Sequence, residues 1–335
     1  MNYHPLPRVN NVDIVIGLQY GDEAKGKVTH HLLSQDNYDF VCRASGGPNA
    51  GHTIYHEGKK IVTHHIPSGI FYGIPSIIGS GCVINPITLY EEMDELEKHG
   101  IDVRSNLKIA YNCHIITPYH VEEDIATDKV GSTKRGIMPA YRDKYARIGV
   151  RAESISALQE FLCDPLVLLH GTVMIEGAQG FGLCPDHGDY PFVTSSPPSS
   201  AYALHSLGIP PQAVRKVWGA AKVYETYVGT KQFQPRDDVF KQVARYGEEY
   251  GSTTGRARQV NWIDIGLLVR SVRANGVTDI VFSKVDVLQK AKRYQLLNPD
   301  TEFSSLQGMQ KFIEAKLKTE SPNIQAYWSS SKIGF

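Results

Sequence analysis

The chain has 335 residues, with 35 basic and 35 acidic side chains and a formal net charge of zero. Because hydrophobic residues make up 41% of the sequence, the chain can bury a sizeable core. The balanced charge gives no sign of the basic surface that nucleic-acid-binding proteins carry, and no apolar run approaches the length of a membrane span. We therefore expect neither nucleic acid nor a membrane as a partner.

Cysteine usage and the N-terminal residues indicate the compartment. The five cysteines are odd in number, widely spaced and without a C-x-x-C pair, which argues against a disulfide framework or a zinc site. The first residues, MNYHPLPRVNN, are polar and lack the apolar core of a secretory signal. We expect a soluble cytoplasmic protein.

Short apolar runs alternate with helical patterns along the chain. The pattern predicts strands and helices, with strands at 12–18, 76–83, 166–175 and 279–283 and helices that begin at 27, 87 and 262. A hairpin is expected between 53 and 65, with its turn at Glu57-Gly58. This alternation predicts an α/β fold in which a mostly parallel central sheet is flanked by helices, with small antiparallel hairpin elements. Since no repeat or long linker divides the sequence, we expect residues 1–335 to form a single domain.

The strongest local signal is a glycine-rich turn, Gly21-Asp22-Glu23-Ala24-Lys25-Gly26-Lys27, between a predicted strand and a predicted helix. Its glycines allow backbone N–H groups to approach phosphate, while Lys25 and Lys27 can supply countercharge. The spacing fits G-x-x-x-x-G-K, although Val28 stands where a metal-binding hydroxyl is usual. Asp22 is then the obvious carboxylate for a metal. The pattern predicts a P-loop-like phosphate-binding turn; the alternative is an ordinary turn with solvated charges.

A second polar loop, 46–53, reads GGPNAGHT. Its three glycines, asparagine and histidine predict a tight turn in which His52 can act as an acid near neutral pH. Taken singly, a histidine in a turn is more often a satisfied polar residue. The hypothesis of a catalytic role therefore depends on the motifs around it.

Together, LQYGDEAKGK and GGPNAGHT resemble the paired signature of adenylosuccinate synthetases, which join aspartate to the 6-position of a purine monophosphate at the expense of GTP. Further blocks of the family occur in the same order at 131–150, 175–196, 251–264 and 283–288. The sequence is similar to the short form of the family, found in archaea and some phages. It lacks the long helical insert between the first two of these blocks, and its C-terminal region is reduced.

The resemblance implies the catalytic residues. Asp22 resembles the base that takes the N1 proton of inosine monophosphate, so that O6 attacks the γ-phosphate of GTP. His52 resembles the acid that assists the departure of GDP, Lys25 resembles the lysine that neutralises phosphate charge, and Gln179 belongs to the same set. The Asp22 carboxylate and the Gly51 carbonyl resemble the ligands of Mg²⁺, which is the implied cofactor.

The same resemblance implies three sets of binding residues. The set for GTP comprises Gly21, Glu23, Ala24, Gly26, Lys27, Gly51, Thr53, Lys284, Asp286, Ser329 and Ser330. The set for the purine monophosphate comprises Asn49, Ser132, Thr133, Arg147, Gln179 and Thr194. The set for L-aspartate comprises Ser252, Thr253, Thr254, Arg256 and Arg258.

Several of these residues have an ordinary alternative. Arg147 resembles the arginine that reaches the nucleotide of the neighbouring subunit, which implies a homodimer with a shared active site; otherwise it is a surface charge. Arg256 and Arg258 suit the capture of carboxylates, but a solvated basic loop has the same composition. Asp286 can accept hydrogen bonds from guanine N1–H and the 2-amino group, and the Lys284 stem can pack on the base, which favours GTP over ATP. A bare K-x-D is otherwise mostly a surface pair.

Departures from the family pattern leave the acceptor open. Ala24, Pro48, Lys134 and Met138 stand where the family usually has other residues. The leading hypothesis is inosine monophosphate, because a carboxylate held against N1 also lies close to C2, where guanine carries an amino group that needs space. The alternatives are the same chemistry on GMP or dGMP, giving 2-aminoadenylosuccinate, and a nucleotide-binding regulator without catalysis.

Overall fold

The computed structural model describes residues 8–56, 58–128, 130–250 and 255–330. The strands in these ranges are β1 (Val9–Gly17), β2 (Phe40–Arg43), β3 (His52–His56), β4 (Lys59–Thr63), β5 (Ser76–Ile78), β6 (Val83–Ile84), β7 (Leu107–Ala110), β8 (His114–Ile115), β9 (Leu162–Cys163), β10 (Gly171–Glu176), β11 (Val214–Lys222), β12 (Glu225–Tyr227), β13 (Gln259–Asn261), β14 (Ile263–Asp264), β15 (Asp279–Ser283), β16 (Gln295–Asn298), β17 (Thr301–Glu302) and β18 (Gln325–Trp328).

The α-helices in the same ranges are α1 (Lys25–Gln35), α2 (Pro86–Lys98), α3 (Val103–Asn106), α4 (Pro118–Thr127), α5 (Ile137–Ala146), α6 (Pro165–Leu168), α7 (Ser200–Leu207), α8 (Asp238–Gly247), α9 (Ile265–Asn275), α10 (Val285–Ala291) and α11 (Leu306–Glu320). Short 3₁₀ helices occur at Ser68–Tyr72, Ala152–Ser154, Ser156–Phe161, Phe181–Leu183 and Pro211–Ala213. Within the described ranges, no helix is both long and apolar enough to cross a membrane.

Nine of the described strands form one sheet in the order β18-β15-β11-β1-β10-β2-β5-β7-β9. Every pairing between neighbours in this sheet is parallel. β1 lies in the middle, and its residues from Val12 to Gly17 are all buried. Strands that are covered on both faces form continuous apolar runs, which is why the run VDIVIG predicted this strand. The predicted parallel sheet flanked by helices is confirmed.

Alternate residues of β1 pack into different cores on the two faces of the sheet. Val12, Ile14 and Ile16 belong to the larger core, which includes residues of α7, α8, α9 and α11. Val15 packs on the opposite face with Val28 and its neighbours in α1. This alternation is the period of two that a strand imposes. The turn between β1 and α1 is therefore fixed at both ends by buried packing.

The predicted strand at 166–175 is wrong in its first half. The carboxylate of Asp164 accepts a hydrogen bond from the Leu166 N–H, which caps the first turn of α6. A side-chain oxygen at this position satisfies a free N–H group of the helix end, so that a helix is favoured over an extended chain. The strand begins only at Gly171.

Other predicted boundaries shift as well: β1 spans 9–17 rather than 12–18, and the helices predicted from 27 and 87 begin at 25 and 86. The helix predicted from 262 begins at Ile265, because Asp264 caps it by accepting from the Leu267 N–H. The strand predicted at 76–83 divides into β5 and β6, with a turn between them. The strand predicted at 279–283 has the predicted bounds.

The predicted hairpin is formed by β3 and β4, in which Tyr55 lies opposite Lys60. The turn was predicted at Glu57-Gly58, and Glu57 lies outside the described residues. The hairpin packs on α1 so closely that a Cβ atom added to Gly26 would lie 3.1 Å from the Cβ of His52. This packing places His52, the first residue of β3, against the start of α1.

Candidate active site

One large cavity opens at the carboxyl edge of the sheet. It has a volume of about 1470 Å³ and is bounded by the loops that follow β1, β2, β10, β11, β15 and β18. Residues from 124–138, 246–250 and 256–258 also line it. Open α/β sheets bind ligands at this edge, so that the cavity is the candidate active site.

Most of the predicted site residues line this cavity. They are Gly21, Asp22, Ala24, Lys25, Gly26, Lys27, Asn49, Gly51, His52, Thr53, Ser132, Thr133, Gln179, Thr194, Arg256, Arg258, Lys284, Asp286 and Ser330. Among the other described ones, Glu23 and Ser329 are buried, whereas Arg147 is exposed at the end of α5. The predicted residues Ser252, Thr253 and Thr254 lie outside the described residues.

Glu23 shapes the P-loop-like turn from within. Its Oε1 accepts hydrogen bonds from the N–H groups of Gln19 at 3.1 Å and Gly21 at 2.8 Å. Its Oε2 accepts one from Lys25 Nζ at 2.6 Å, and both charged side chains are buried. Both carboxylate oxygens of Glu23 are thus engaged inside the turn. Lys25 is held at the cavity wall by the same ion pair.

Four of the predicted residues that line the cavity have a left-handed backbone conformation. The angle φ is 60° at Asp22, 71° at Ala24, 54° at Gln179 and 67° at Lys284. For residues other than glycine this conformation costs on the order of 1 kcal/mol each. All four follow the carboxyl ends of sheet strands. Because such strain concentrates at functional sites, it supports this edge as the functional centre.

The imidazole of His52 is held by a buried carboxylate. Its Nδ1 contacts Oε1 of Glu176, the last residue of β10. Glu176 also accepts hydrogen bonds from the N–H and the hydroxyl of Ser68, both at 2.8 Å. Burial lowers the pKa of His52, and Glu176 opposes this shift. Although burial acts to raise it, the neighbouring His52 lowers the pKa of Glu176 to about 2, so that the carboxylate is ionised at neutral pH.

Asp22 is linked to a buried network of charges. Arg258 donates from Nε to the Asp22 carboxylate and from Nη1 to Glu249, both at 2.7 Å. Glu249 also accepts from Lys222 Nζ at 3.0 Å and from the Tyr224 hydroxyl at 2.5 Å. Although burial acts to raise it, Lys222 and Arg258 lower the pKa of Glu249 to about 2. The network fixes the guanidinium of Arg258 beside Asp22.

Two aspartates shape the loop that carries the predicted monophosphate ligand Ser132. Asp128 accepts hydrogen bonds from the N–H groups of Gly131 and Ser132, both at 2.8 Å. Asp124 accepts one from the Ser132 hydroxyl at 2.9 Å. The loop is thus held in shape by two carboxylates that line the cavity together with residues 130–133.

The two arginines predicted to bind aspartate reach different parts of the cavity. Arg256 donates from Nη1 to the carbonyl of Gly131 at 3.1 Å, whereas Arg258 contacts Asp22. The short segment that carries them therefore connects the loop around Gly131 with the P-loop-like turn. Two guanidinium groups thus line the cavity between these loops, and Arg258 is already paired there with Asp22 and Glu249.

Gln179 and Thr194 meet at a third hydroxyl. The Oε1 atom of Gln179 accepts a hydrogen bond from the Ser196 hydroxyl at 3.2 Å, and Thr194 Oγ1 lies 3.3 Å from the same hydroxyl. A Cβ atom added to Gly46 would lie 2.9 Å from the Gln179 oxygen. A side chain at position 46 would therefore collide with Gln179, and the glycine leaves room for the Gln179 side chain in its observed position.

The predicted guanine pocket lies after β15 and β18. Lys284 donates from Nζ to the carbonyl of Gly247 at 2.7 Å. The carbonyl of Ser329 accepts from the first N–H of α10 at 3.1 Å, so that Ser329 supports the wall from behind. Asp286 and Ser330 line the cavity itself.

Three buried charged residues of this site were missed by the sequence analysis: Glu176, Glu249 and Lys222. A signal existed for two of them, since Glu176 and Lys222 end the apolar strand runs GTVMIE and VRKVWGAAK. A charge at the end of a buried strand requires a partner. Glu249 follows α8, and nothing in its local sequence marks it.

These observations define a class of protein. A P-loop-like turn with two lysines, a carboxylate at Asp22 and an imidazole at His52 face one cavity at the carboxyl edge of a parallel sheet. Enzymes that transfer phosphoryl groups need this combination of oriented N–H groups, cations and acid–base side chains. The fold and the site are those of a nucleotide-dependent α/β enzyme.

Comparison with known sequences gives the family. The chain matches the adenylosuccinate synthetase family over residues 14–166 and 167–298. It is 40% identical to the adenylosuccinate synthetase of Chlorobium limicola, over 82% of this chain and 76% of that protein. The enzyme of Chlorobium phaeovibrioides is 38% identical, over 86% and 79%. The chain belongs to the adenylosuccinate synthetase family.

Solved structures agree with this fold. The fully ligated adenylosuccinate synthetase of Plasmodium falciparum superimposes with a TM-score of 0.76 at 30% identity, over 85% of this chain and 80% of that one. The succinoaminodeoxyadenylate synthetase of cyanophage S-2L, bound to dGMP and to dATP as an energy donor, gives a TM-score of 0.75 at 22% identity, over 98% and 93%. The second likeness concerns the fold alone.

Glu249→Ala is expected to destabilise the protein by about 3–5 kcal/mol, because it leaves the buried charges of Lys222 and Arg258 without their shared carboxylate. Equilibrium denaturation by urea measures this change. The control is Glu95→Ala, which removes the exposed ion pair with Lys98 and should leave the free energy of unfolding nearly unchanged. Equal losses in the two variants would contradict the structural role of the network.

Proposed function

We propose that the protein joins L-aspartate to the 6-position of inosine monophosphate, with GTP as phosphoryl donor, and releases adenylosuccinate, GDP and phosphate. The observation that carries this proposal is that Asp22 and His52 face one cavity beside a P-loop-like turn, in a chain of the adenylosuccinate synthetase family. The reaction forms a C–N bond and belongs to purine nucleotide biosynthesis, on the route to AMP.

Two successive displacements account for the products. In the first, Asp22 takes the proton from N1 while O6 attacks the γ-phosphorus; the bond to the β,γ-bridging oxygen breaks, and His52 gives a proton to the departing GDP. In the second, the amino group of aspartate attacks C6, the C6–O bond breaks, and phosphate leaves with the bonding electrons and takes up the proton that the amine loses. Lys25 and Lys27 supply positive charge beside the phosphates, as such transfers require.

We assign the second reactant to the arginine pair. Arg256 and Arg258 both line the cavity, and guanidinium groups suit bidentate binding of carboxylates. The two side chains of this pair contact the loop around Gly131 and Asp22. Aspartate bound between them would have its amino group near the purine that Asp22 deprotonates. We also assign the adjoining residues 252–254 to the binding of L-aspartate.

Mg²⁺ is the cofactor that we assign to the reaction. Asp22 and Gly51 both line the cavity and offer a carboxylate and a carbonyl oxygen. Mg²⁺ prefers hard oxygen donors and is usually held by one or two protein groups together with substrate phosphates. The residues present therefore fit the ion. When bound, Mg²⁺ supplies neutralisation of the negative charge on the GTP phosphates.

Asp286 is the residue that we assign to guanine recognition. A carboxylate accepts hydrogen bonds from guanine N1–H and the 2-amino group, whereas adenine has an acceptor at N1. Each unmade hydrogen bond of a buried polar group costs about 1–3 kcal/mol. The side chain of Lys284, fixed by the carbonyl of Gly247, offers its stem to the base. We therefore propose GTP over ATP as the donor.

Asp22 also supports inosine monophosphate as the acceptor. A carboxylate that takes the N1 proton lies close to C2 of the purine, where inosine has only hydrogen. Guanine carries an amino group at C2, which needs both space and an acceptor. For this reason GMP and dGMP, the acceptors of the alternative reaction, come second in our proposal.

We propose a homodimer with a shared active site. Arg147 is exposed and is not among the residues that line the cavity of its own chain. Near it in sequence, Tyr145 is 61% and Ile148 72% exposed, and exposed apolar side chains suit a protein interface. Arg147 would then reach the monophosphate bound by the partner.

The compartment and the subgroup are also proposals. The five cysteines are free, as expected in a reducing compartment, and we place the reaction in the cytoplasm. The assignment to the short archaeal or phage form rests on sequence pattern only. The two Chlorobium relatives described above are covered over 76% and 79% of their length.

Asp22→Asn and His52→Asn are each expected to lower turnover by about 10²- to 10⁴-fold, the usual loss for an acid or base group. Asparagine tolerates the left-handed backbone of position 22, so that the fold should be retained. Phosphate release with GTP, inosine monophosphate and aspartate measures turnover, and circular dichroism checks the fold. A folded variant with near-wild-type turnover would remove that residue from the mechanism.

A panel of substrates tests the function directly. With GTP or ATP as donor and inosine, guanosine or deoxyguanosine monophosphate as acceptor, we expect the fastest aspartate-dependent phosphate release for GTP with inosine monophosphate. Mass spectrometry identifies the product in a competition of the three acceptors. A dominant 2-aminoadenylosuccinate product would establish the alternative acceptor, and no turnover in any combination would leave a nucleotide-binding regulator.

Mixed dimers test the shared site. Arg147→Leu and Asp22→Ala are each expected to be inactive as pure proteins. After subunit exchange, hybrid dimers contain one site that carries neither substitution, so that part of the activity should return. Native mass spectrometry verifies the exchange. Verified hybrids without recovered activity would show that Arg147 does not act across the interface.

A further inference from the structure

We propose that Glu176 is a positioning residue for His52, which fixes the ring so that its Nε2 atom faces the β,γ-bridging oxygen of the donor nucleotide. The inference rests on the proposed function, since it supplies a partner for the proposed acid of that reaction. Glu176 itself lies behind the cavity wall and is not among the residues that line the cavity.

The hydrogen bonds of Glu176 determine which ring nitrogen is available. Its Oε1 is shared by Nδ1 of His52 and the Ser68 hydroxyl, and its Oε2 accepts from the Ser68 N–H. An ionised carboxylate only accepts hydrogen bonds, so that Nδ1 carries a proton. His52 also lines the cavity. The second ring nitrogen, Nε2, is therefore the one left for a ligand. It carries the proton that His52 gives to GDP when the ring is the imidazolium, the form that the Glu176 carboxylate stabilises.

The surroundings favour the ionised carboxylate. Glu176 on β10 is paired in register with Arg43 on β2. Arg43 is 1% exposed, and its Nε and Nη1 atoms have no hydrogen-bond partner among the described residues. The charged groups that act on His52 are Glu176 from β10, Arg43 from β2 and Lys25 from α1. Glu176 is the one anion of this set.

The position of His52 explains why an anchor is needed. His52 is the first residue of β3, in a hairpin that contacts α1 but is not part of the large sheet. Glu176, by contrast, ends a strand in the middle of that sheet. A ring held by a buried carboxylate keeps one tautomer and one orientation, which is the role of the carboxylate in other acid–base pairs. The contact with Glu176 thus fixes the His52 ring relative to the central sheet.

Glu176→Gln tests the proposal, because it keeps the size of the side chain and removes the charge. Turnover is expected to fall by about 10- to 10³-fold, while KM for GTP and inosine monophosphate changes by less than about threefold. Exchange of ¹⁸O between the β-nonbridging and β,γ-bridging positions of GTP, measured with inosine monophosphate but without aspartate, should fall in parallel with turnover. This exchange isolates the step in which His52 acts.

A spectroscopic signature separates positioning from folding. In the full-length wild type labelled with ¹⁵N-histidine, the His52 signals, identified by their loss in His52→Asn, should show a protonated Nδ1. In Glu176→Gln the two tautomers should mix. A wild-type ring protonated only at Nε2 would overturn the proposal, and this result does not depend on whether any Glu176 variant folds.

Glu92→Gln is the matched control. Glu92 on α2 accepts hydrogen bonds from the N–H groups of His64, His65 and Ile66 at 2.9, 2.9 and 3.0 Å, and it does not line the cavity. Burial raises the pKa of Glu92 to about 7, so that this variant tests the loss of a buried, hydrogen-bonded carboxyl group outside the site rather than the loss of an equal charge. It should keep wild-type turnover. Glu176→Asp, which keeps the charge, should be more active than Glu176→Gln.

Failure of the role of Glu176 and failure of the proposed function give different results. Turnover and isotope exchange in Glu176→Gln that stay within about threefold of wild type, or that fall no more than in Glu92→Gln, would overturn the role of Glu176. A loss confined to KM would do the same. Wild-type protein that shows neither exchange nor aspartate-dependent turnover would instead overturn the proposed function, while the signals of the His52 ring would still test its contact with Glu176.

Discussion

Buried carboxylates hold the basic groups of this site in place. Glu23 binds Lys25, Glu176 binds His52, and Glu249 binds Arg258. An isolated charge in the interior is costly, and removing one partner of a buried pair is more costly than losing an exposed pair. Each of these three basic groups is therefore held in one orientation by a buried carboxylate.

The parallel sheet explains why these pairs lie together. The turn with Glu23 follows β1, Glu176 ends β10, and Lys222, the second partner of Glu249, ends β11. These three strands are neighbours in the middle of the sheet. Because all strands run in one direction, their carboxyl ends meet at one edge. Residues far apart in the chain thus arrive in one small volume.

The sequence predicted those parts of the structure that local pattern controls. The apolar run before the glycine-rich turn predicted β1, and the run DIVFS predicted β15 with its observed bounds. The two glycine-rich loops predicted a phosphate-binding turn and a histidine beside it, and both loops line the cavity. A capping side chain was overlooked at Asp164, so that a short helix was predicted as strand.

The parts that could not be predicted depend on contacts between distant residues. Arg258 lies 236 positions from Asp22 in the sequence. No local pattern shows that Arg258 binds the P-loop-like turn while Arg256, two residues away, binds the loop around Gly131. Glu176 and His52 are 124 positions apart. The family resemblance supplied roles for residues that face substrate, but the charges behind them follow only from three-dimensional packing.

The placement of the cavity has a consequence for how this protein can be altered. The described connections that lead into the amino ends of β2, β5, β10, β11, β15 and β18 contribute no residue to the cavity. They lie at the edge of the sheet opposite the chemistry. Insertions, affinity tags or new chain termini placed there would change the length of the chain without touching the reacting groups. This edge is where the protein offers room for engineering and for evolutionary drift.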